Sequence, residues 1–319
     1  MNNPIRNIIF MGTPQFSVPT LLKLVNSNYT PKLVITKPDR PAGRNLKINF
    51  SPVKEVALKY NLPLYQPNNI NDNTSYEFIK QYEPDLIITV AFGEFLKKKI
   101  RLLPTYFAIN LHPSLLPLHR GADPVRDTLL SGDTVCGVTF FKLISSMDSG
   151  PIIHQKKYNV PHETNFSHLE NFLSEQGAEE ICTIIDMIHK TPHFDFIEQK
   201  HEDATYTSKL KKNENLADFR DNFDIFNRKL KAYNDEPGFF CYFRGKRLKL
   251  YKAELYSKNY NSKVGEIKEI VHSKGFIVSL SDCDLLITEV QFEGKKRMKA
   301  SDFQNGSRMM IGERLESGI

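Results

Sequence analysis

The sequence predicts an α/β protein with two domains: an N-terminal doubly wound, mostly parallel sheet and a small C-terminal β-barrel. At 319 residues the chain is long for a single hydrophobic core. Apolar and helical segments alternate through the first half, which is typical of a parallel sheet wound with helices. Beyond residue 206 the sequence changes to short strands with glycine-containing turns, which is typical of a small barrel.

The first half can be followed element by element. The predicted elements are a strand at 7–11, a helix at 17–26, a strand at 32–36, a helix at 53–60, a helix ending at 77–82, strands at 85–91 and 106–112, a helix at 124–130 and a strand at 137–143. The strand at 85–91 is almost continuously apolar, as expected for a strand covered on both faces. Ligands of such a sheet bind at the carboxyl ends of its strands.

A polar, irregular stretch separates this pattern from the second half. The predicted boundaries are a first domain at 1–189, a linker at 190–205 and a second domain at 206–319. The second domain is predicted to begin with a helical segment at 216–231. Its predicted strands are at 239–243, 248–253, 263–271, 276–280 and 285–291, the first two forming a hairpin around Arg244-Gly245-Lys246-Arg247.

The net charge of +6 lies entirely in the last third of the chain. Residues 1–205 hold 21 Lys+Arg and 21 Asp+Glu, whereas residues 206–319 hold 22 and 16. A basic surface on one module fits a polyanionic partner such as nucleic acid. A basic module that is merely soluble fits the same charge, so charge alone does not decide between them.

Composition excludes several classes of protein. No apolar run approaches the roughly 20 residues of a membrane span, and the apolar run at 8–11 is too short for a signal-peptide core. The cysteines lie far apart with no CxxC pair, which predicts reduced thiols in a cytoplasmic protein. Neither they nor the scattered histidines show metal-ligand spacing, so no metal site is predicted.

The strongest chemical signal stands at the end of the predicted strand at 106–112. Because side chains alternate along a strand, Asn110 and His112 project from the same face. An amide donor beside an imidazole suits acyl transfer, in which one group binds an oxyanion and the other moves protons. Asp148 is a candidate for the carboxylate that orients the imidazole and keeps its pKa high. A capping Asn, a core His and a helix-capping Asp are the structural alternative.

Several motifs together resemble the folate-dependent formyltransferases. They are Asn110-Leu111-His112, Ser114-Leu115-Leu116-Pro117, Arg120-Gly121-Ala122, Gly137-Val138-Thr139 and Asp148-Ser149-Gly150. The segment from Lys37 to Lys54 and the segment from Gly294 to Phe303 are similar to the methionyl-tRNA branch of that family. The resemblance runs from Ile8 to about Leu315.

The resemblance implies a Rossmann-like formyltransferase domain, an OB-like tRNA-binding domain and a specific reaction. The formyl group of 10-formyltetrahydrofolate, the implied co-substrate, would pass to the α-amine of initiator methionyl-tRNA for translation initiation. Asn110 and protonated His112 would stabilise the oxyanion, and Asp148 would hold His112 as a cation. The implied folate-binding residues are Ser114, Leu115, Leu116 and Pro117 in one loop, and Val90, Ala91, Phe92 and Gly93 at a strand end.

Basic residues supply the candidate tRNA contacts. The loop at 36–51 carries Lys37, Arg40, Arg44 and Lys47, while prolines and a glycine predict irregular backbone; these cations suit a phosphate backbone. A flexible solvated loop is the alternative. In the C-terminal module the candidates are Lys209, Arg247, Lys295, Lys296 and Arg297. The predicted partners are the charged tRNA and the folate donor, and the chain is predicted to be a monomer.

Three other functions fit parts of the pattern. A formyltransferase acting on a sugar-nucleotide amine would keep Asn110, His112 and Asp148 but would not need the basic loop or the basic module. A non-catalytic RNA-binding protein would not need Asn110, His112 or Asp148. A nicotinamide oxidoreductase is disfavoured because Gly12-Thr13-Pro14 lacks the further glycines of the dinucleotide fingerprint.

Overall fold

A computed structural model describes residues 5–42, 47–161, 163–190, 195–258 and 263–318, with backbone alone described at 41–42 and 47–48. The chain forms two compact units. The first comprises residues 1–124, 134–160 and 169–208, and the second comprises residues 125–133, 161–168 and 209–319.

The first 207 residues form strands with helices between most of them. The strands are β1 (Ile8–Gly12), β2 (Leu33–Ile35), β3 (Arg40–Ala42), β4 (Lys47–Asn49), β5 (Leu64–Tyr65), β6 (Leu86–Val90), β7 (Phe107–His112), β8 (Arg120–Gly121), β9 (Val135–Lys142), β10 (Ile152–Asn159) and β11 (Tyr206–Thr207). The helices are α1 (Val18–Val25), α2 (Pro52–Lys59), α3 (Asn73–Lys80), α4 (Lys98–Arg101), α5 (Pro124–Ser131) and α6 (Phe166–Lys190).

The first unit is built on a seven-stranded sheet in the order β10-β9-β7-β6-β1-β2-β5. The five strands from β7 to β5 are parallel, and β9 and β10 are antiparallel additions at one edge. The central strands β1 and β6 are buried along their whole length. Burial on both faces explains their continuous apolar sequence, and the mostly parallel sheet predicted from that pattern is confirmed.

The second unit contains an antiparallel sheet that its own C-terminus closes. Its remaining elements are α7 (Phe223–Tyr233), β12 (Phe239–Phe243), β13 (Lys246–Ser257), β14 (Ile267–Val271), β15 (Gly275–Ser279), β16 (Asp284–Phe292), β17 (Met298–Lys299) and α8 (Ala300–Ser307). The sheet order is β12-β13-β16-β15-β14. The tail joins the two edges, because Glu316 exchanges hydrogen bonds with Tyr242 of β12 while Ile267 of β14 donates to Glu313. Closure of this kind leaves a barrel-like sheet, as predicted.

The hairpin predicted around residues 244–247 is confirmed. Strands β12 and β13 pair in antiparallel register from Phe239 with Leu250 to Phe243 with Lys246. Arg244 and Gly245 have φ values of 49° and 72°. Two successive positive φ values give a turn whose twist matches that of the flanking strands, and such turns favour glycine.

Residues 197–207, here called the site strap, lie against the first unit. Ile197 and Ile152 exchange backbone hydrogen bonds of 3.0 and 2.8 Å, and β11 pairs in parallel with β8. Because this stretch is polar, most of it is predicted from the sequence to be a linker. Its backbone groups are nevertheless paired with strands near the predicted catalytic residues. The domain boundaries drawn from the sequence stay a prediction.

Several local features differ from the predicted elements. The basic loop is not wholly irregular, since Arg40 pairs with Asn49 and Ala42 with Lys47 in an isolated two-stranded ribbon, where proline costs no interior ladder bond. The 25-residue helix α6 and the helix α8 were not among the predicted elements. Helix α6 buries Leu169, Leu173, Ile181, Ile184, Ile185 and Ile188 at helical spacing, so the signal was present in the sequence.

All four cysteines are free, and burial raises the pKa of the Cys136 thiol to about 11. Over the described ranges no helix is long and apolar enough to cross a membrane. The same ranges hold no group of three His, Cys, Asp or Glu side chains placed to bind a metal ion.

Candidate functional site

Strand β7 carries two of the three predicted catalytic side chains at its carboxyl end. Asn110 lies beside Thr89 of β6, and the Thr89 hydroxyl shares its hydrogen between Asn110 Oδ1 at 2.7 Å and Ile109 O at 3.0 Å. His112 lies beside Thr139 of β9 and is buried. The hydrogen bond from Thr89 occupies the acceptor end of the Asn110 amide, so the donor end, Nδ2, is the end suited to an oxyanion.

The imidazole of His112 has a fixed tautomer. Its Nε2 lies 2.9 Å from the carbonyl oxygen of His119, which only accepts hydrogen bonds, so Nε2 carries the hydrogen. The neutral ring then has its lone pair on Nδ1. Nδ1 lies 3.9 Å from Asp148 Oδ2, which is too far for a hydrogen bond but close enough for attraction when the ring is protonated.

Asp148 reaches this position from a strained turn between β9 and β10. Its φ of 47° lies in the left-handed region, which costs a non-glycine residue of order 1–3 kcal/mol. Its Oδ2 accepts a hydrogen bond from the backbone N–H of Gly121 at 2.8 Å. The structure therefore brings Asn110, His112 and Asp148 to one edge of the sheet, with Asp148 held by β8.

The protonation state of His112 differs from the one predicted. Burial lowers the pKa of His112, and the Asp148 carboxylate opposes this effect without outweighing it. The prediction that Asp148 keeps the pKa of His112 high is therefore wrong for this structure. The physical reason is the distance: without a hydrogen bond at Nδ1, the carboxylate does not offset the loss of water around the ring.

The predicted folate loop at 114–117 is braced by Thr139. The Thr139 hydroxyl donates to Ser114 O at 2.6 Å and accepts from Leu116 N at 3.2 Å and from Gln155 Nε2 at 2.8 Å. One donated and two accepted bonds use its full capacity. Gln155 also donates to Leu116 O at 3.0 Å, and Ser114 Oγ donates to Leu118 O at 2.6 Å. The loop is thus fixed from within the protein, and Pro117 follows a cis peptide bond.

The second predicted folate segment, Val90 to Gly93, ends strand β6. Ser17 Oγ donates to Val90 O at 2.6 Å, Thr13 Oγ1 to Phe92 O at 3.3 Å and Lys37 Nζ to Gly93 O at 2.9 Å. Phe92 is buried, whereas Ala91 and Gly93 are exposed and have positive φ. The exposed backbone at Ala91 and Gly93 is the part of this segment that a ligand can reach.

The predicted tRNA contacts in the N-terminal loop occupy different environments. Lys37 is half-buried and bound to Gly93, so it belongs to the strand-end segment. Arg40 is exposed on β3. The backbone of Lys47 lies in β4, and Arg44 lies outside the described residues. Arg40 is the loop cation that the structure shows to be accessible.

All five predicted C-terminal cations are exposed: Lys209, Arg247, Lys295, Lys296 and Arg297. The fifth, Arg297, is engaged by its own unit. Its guanidinium donates to both carboxylate oxygens of Glu289 at 2.6 and 2.8 Å and lies 4.1 Å from the Tyr251 ring centroid. It also holds the pKa of Glu289 below its usual range. Arg297 is therefore neutralised locally, unlike the two lysines before it.

Comparison with known proteins identifies the family. The family described as formyl transferase matches residues 6–185, and its C-terminal domain family matches residues 209–308. A methionyl-tRNA formyltransferase of Fusobacterium nucleatum is 37% identical over 313 residues, covering 97% of this chain and 99% of that protein. One from Thermotoga maritima is 33% identical over 309 residues, with 97% and 98% covered. The chain belongs to the formyl transferase family.

Solved structures share the formyl transferase fold at low sequence identity. HypX from Aquifex aeolicus, in complex with tetrahydrofolic acid, superposes with a TM-score of 0.64 at 14% identity, over 97% of this chain and 48% of that chain. An N-formyltransferase from Helicobacter canadensis gives 0.62 at 17% identity, over 90% and 99%. At these identities the likeness concerns the fold.

Several residues that shape the formyl transferase site were not predicted as site residues. Thr139 belongs to the motif Gly137-Val138-Thr139, but it braces the loop at 114–117 because it lies opposite His112 in the sheet. Gln155, Gln199 and Thr205 come from segments without a sequence signal of function. Thr205 Oγ1 accepts from His119 N at 2.7 Å and so holds the residue whose carbonyl fixes the imidazole.

The buried, neutral His112 predicts a specific pH dependence of stability. Because its folded pKa lies below its unfolded value, the unfolded chain binds a proton first as pH falls below about 6.5. The free energy of unfolding should then fall by up to about 1.4 kcal/mol per pH unit. Urea unfolding between pH 7.5 and 5.5 should show a shallower fall in His112→Asn than in the wild type. His272→Asn, at an exposed position, should keep the wild-type slope; equal slopes in all three proteins would contradict burial of a neutral imidazole.

Proposed function

We propose that this family member transfers the formyl group of 10-formyltetrahydrofolate to the α-amine of initiator methionyl-tRNA. The supporting observation is the meeting of Asn110, His112 and Asp148 at one sheet edge, with Nδ1 of His112 facing Asp148 Oδ2 at 3.9 Å. Relatives at 33–37% identity over nearly the whole chain are methionyl-tRNA formyltransferases, and a protein of the same fold binds tetrahydrofolic acid. The residues fit a folate donor through the braced loop at 114–117 and the exposed backbone at Ala91 and Gly93.

His112 acts first as a base in this proposal. The neutral α-amine attacks the formyl carbon, and the carbonyl electron pair moves to oxygen. The attacking nitrogen then loses a proton to Nδ1 of His112, whose lone pair is available because Nε2 carries the hydrogen bonded to His119. The lowered pKa keeps this nitrogen unprotonated in the resting protein. A charged imidazole forms only as the reaction proceeds.

Asp148 and Asn110 stabilise the charges that develop. The imidazolium at His112 lies beside the Asp148 carboxylate, which attracts the ring once it is charged. The Asn110 amide donates to the oxyanion. When the carbonyl re-forms, the bond from carbon to N10 of the donor breaks and N10 takes the proton from His112. The products are N-formylmethionyl-tRNA and tetrahydrofolate, and no covalent bond to the protein forms.

The proposed RNA contacts are the exposed cations Arg40, Lys209, Arg247, Lys295 and Lys296. Contacts of this kind with phosphates position a nucleic acid without reading its sequence. Recognition of an aminoacylated end depends on shape, backbone and unpaired bases.

A comparison of the formylation rates of two acceptors tests the proposal. Purified protein is mixed with 10-formyltetrahydrofolate and either methionyl initiator tRNA or a sugar nucleotide bearing a primary amine. We expect formylation of the tRNA-bound methionine with kcat/KM at least about a hundredfold above that of the amino sugar, because only the tRNA uses the basic contacts. If the protein prefers the amino sugar, the proposed acceptor is wrong, but the proposed roles of the catalytic residues are unaffected. No turnover with either acceptor would favour a non-catalytic RNA-binding role.

A further inference from the structure

We propose that Gln199 is a positioning residue that holds Asp148 against His112. This inference rests on the proposed function, because it assigns Gln199 a role in the same reaction. Gln199 is buried and comes from the site strap, which was expected to be linker. Its side chain joins the turn that carries Asp148 to a buried arginine.

The Gln199 amide uses both of its ends. Nε2 donates to Asp148 O at 2.9 Å and to Gly150 O at 2.7 Å. Oε1 accepts from Arg120 Nε at 3.0 Å and from Arg120 Nη2 at 2.6 Å. The donated bonds require the amide nitrogen to face the turn, and the two guanidinium bonds fix that orientation.

Arg120 is itself anchored close to the imidazole. Its side chain is 1% exposed, and it follows His119, whose carbonyl binds His112 Nε2. Its Nη2 also lies 3.1 Å from His201 Nδ1. The next residue, Gly121, donates to the Asp148 carboxylate. Arg120 and Gln199 thus hold the backbone of Asp148, while Gly121 holds its side chain.

The turn needs this support because its conformation is unfavourable alone. Asp148 has φ of 47°, and such strain persists only where surrounding contacts over-determine it. Gly150 is packed so closely on β9 that a Cβ there would lie 1.8 Å from Lys142 O. The hydrogen bonds from the Gln199 amide to the carbonyls of Asp148 and Gly150 hold the backbone on both sides of Ser149. Without them Asp148 can relax toward a right-handed backbone, and its carboxylate then leaves His112.

The strap carries Gln199 at a fixed place. It is bound to β10 through Ile197 and Ile152 and to β8 through β11 and through Arg120 N, which donates to Thr205 O at 2.9 Å. Gln199 lies between these two attachments. Backbone hydrogen bonds before and after Gln199 in the strap therefore fix the position of its side-chain amide.

A double-mutant cycle with Asp148 tests the proposal. Gln199→Glu keeps the size of the side chain and the partner of Arg120 but removes both donated bonds to the turn. We expect kcat for formyl transfer to fall about tenfold or more, with the KM of donor and acceptor changed less than twofold. In an Asp148→Asn background the same substitution should change kcat less than about twofold, because Gln199 acts through Asp148.

Controls separate this role from a general loss of structure. Gln291→Glu makes the same change in the second unit, where Nε2 of Gln291 donates to Lys295 O, and should leave kcat unchanged. Gln199→Asn keeps an amide that is too short to reach both carbonyls and Arg120, and should lower kcat even if Gln199→Glu fails to fold. Equal losses with and without the Asp148 carboxylate would overturn the inference. A wild-type rate in Asp148→Asn alone would instead overturn the proposed role of Asp148 in the reaction.

Discussion

Replacing Asn110, His112 or Asp148 by alanine should each lower kcat for formyl transfer at least about a hundredfold. Asn110→Ala removes the proposed oxyanion donor, His112→Ala removes the proton acceptor, and Asp148→Ala removes the charge that stabilises the imidazolium. Steady-state kinetics with 10-formyltetrahydrofolate and methionyl-tRNA measures the effect. The KM of the donor should change little, because the proposed donor contacts lie in the segments at 90–93 and 114–117.

The substitutions at Asn110 and Asp148 are not expected to act through unfolding. Asn110 and Asp148 are not fully buried, and their truncation removes few packing contacts. His272→Ala serves as the matched control at an exposed histidine and should retain the wild-type kcat. A variant of any of the three residues that folds and turns over at near wild-type rate would remove that residue from the proposed mechanism.

The affinity for tRNA should fall steeply with salt. If the five proposed contacts, which leave out Arg297, each touch a phosphate, each adds a slope of roughly −0.7 to −0.9 to the log–log plot. A fourfold rise in salt, from 50 to 200 mM, should then weaken binding roughly hundred- to five-hundredfold. Filter binding or fluorescence anisotropy with charged initiator tRNA measures this slope.

Arg297 provides a matched control for the salt experiment. Lys295→Ala with Lys296→Ala should make the slope shallower by about 1.4 to 1.8. Arg297→Ala should leave the slope nearly unchanged, because Glu289 already neutralises that guanidinium. An equal loss of slope from both variants would show that the ion pair with Glu289 opens in the complex. An unchanged slope in the double-lysine variant would mark those lysines as solvated surface.

The sequence predicted the sheet and the shared position of Asn110 and His112 on β7 for physical reasons that act locally. Apolar runs such as residues 86–90 must be buried on both faces, so their strands could be placed from composition. The alternation of side chains along β7 placed Asn110 and His112 on one face without any tertiary information. The turn at Arg244-Gly245 could also be predicted from its own residues, because glycine favours the positive φ found there.

Properties that depend on distant partners could not be predicted in this way. The tautomer of His112 depends on a carbonyl seven residues later, and its pKa depends on burial by the folded domain. The polar stretch containing Gln199 resembles a linker in composition, because the bonds that hold it come from β8, β10 and the turn at Asp148. Thr139 likewise becomes a brace only through its sheet position opposite His112.

Transfer of a labelled formyl group in a single turnover tests the central claim most directly. The protein, in excess over 10-formyltetrahydrofolate labelled in the formyl carbon, is mixed with methionyl initiator tRNA and quenched over time. We expect the label to appear on the methionine nitrogen in step with the loss of donor, with none attached to the protein at any time. Label released as formate, or label bound to the protein before it reaches the tRNA, would contradict direct transfer by Asn110, His112 and Asp148.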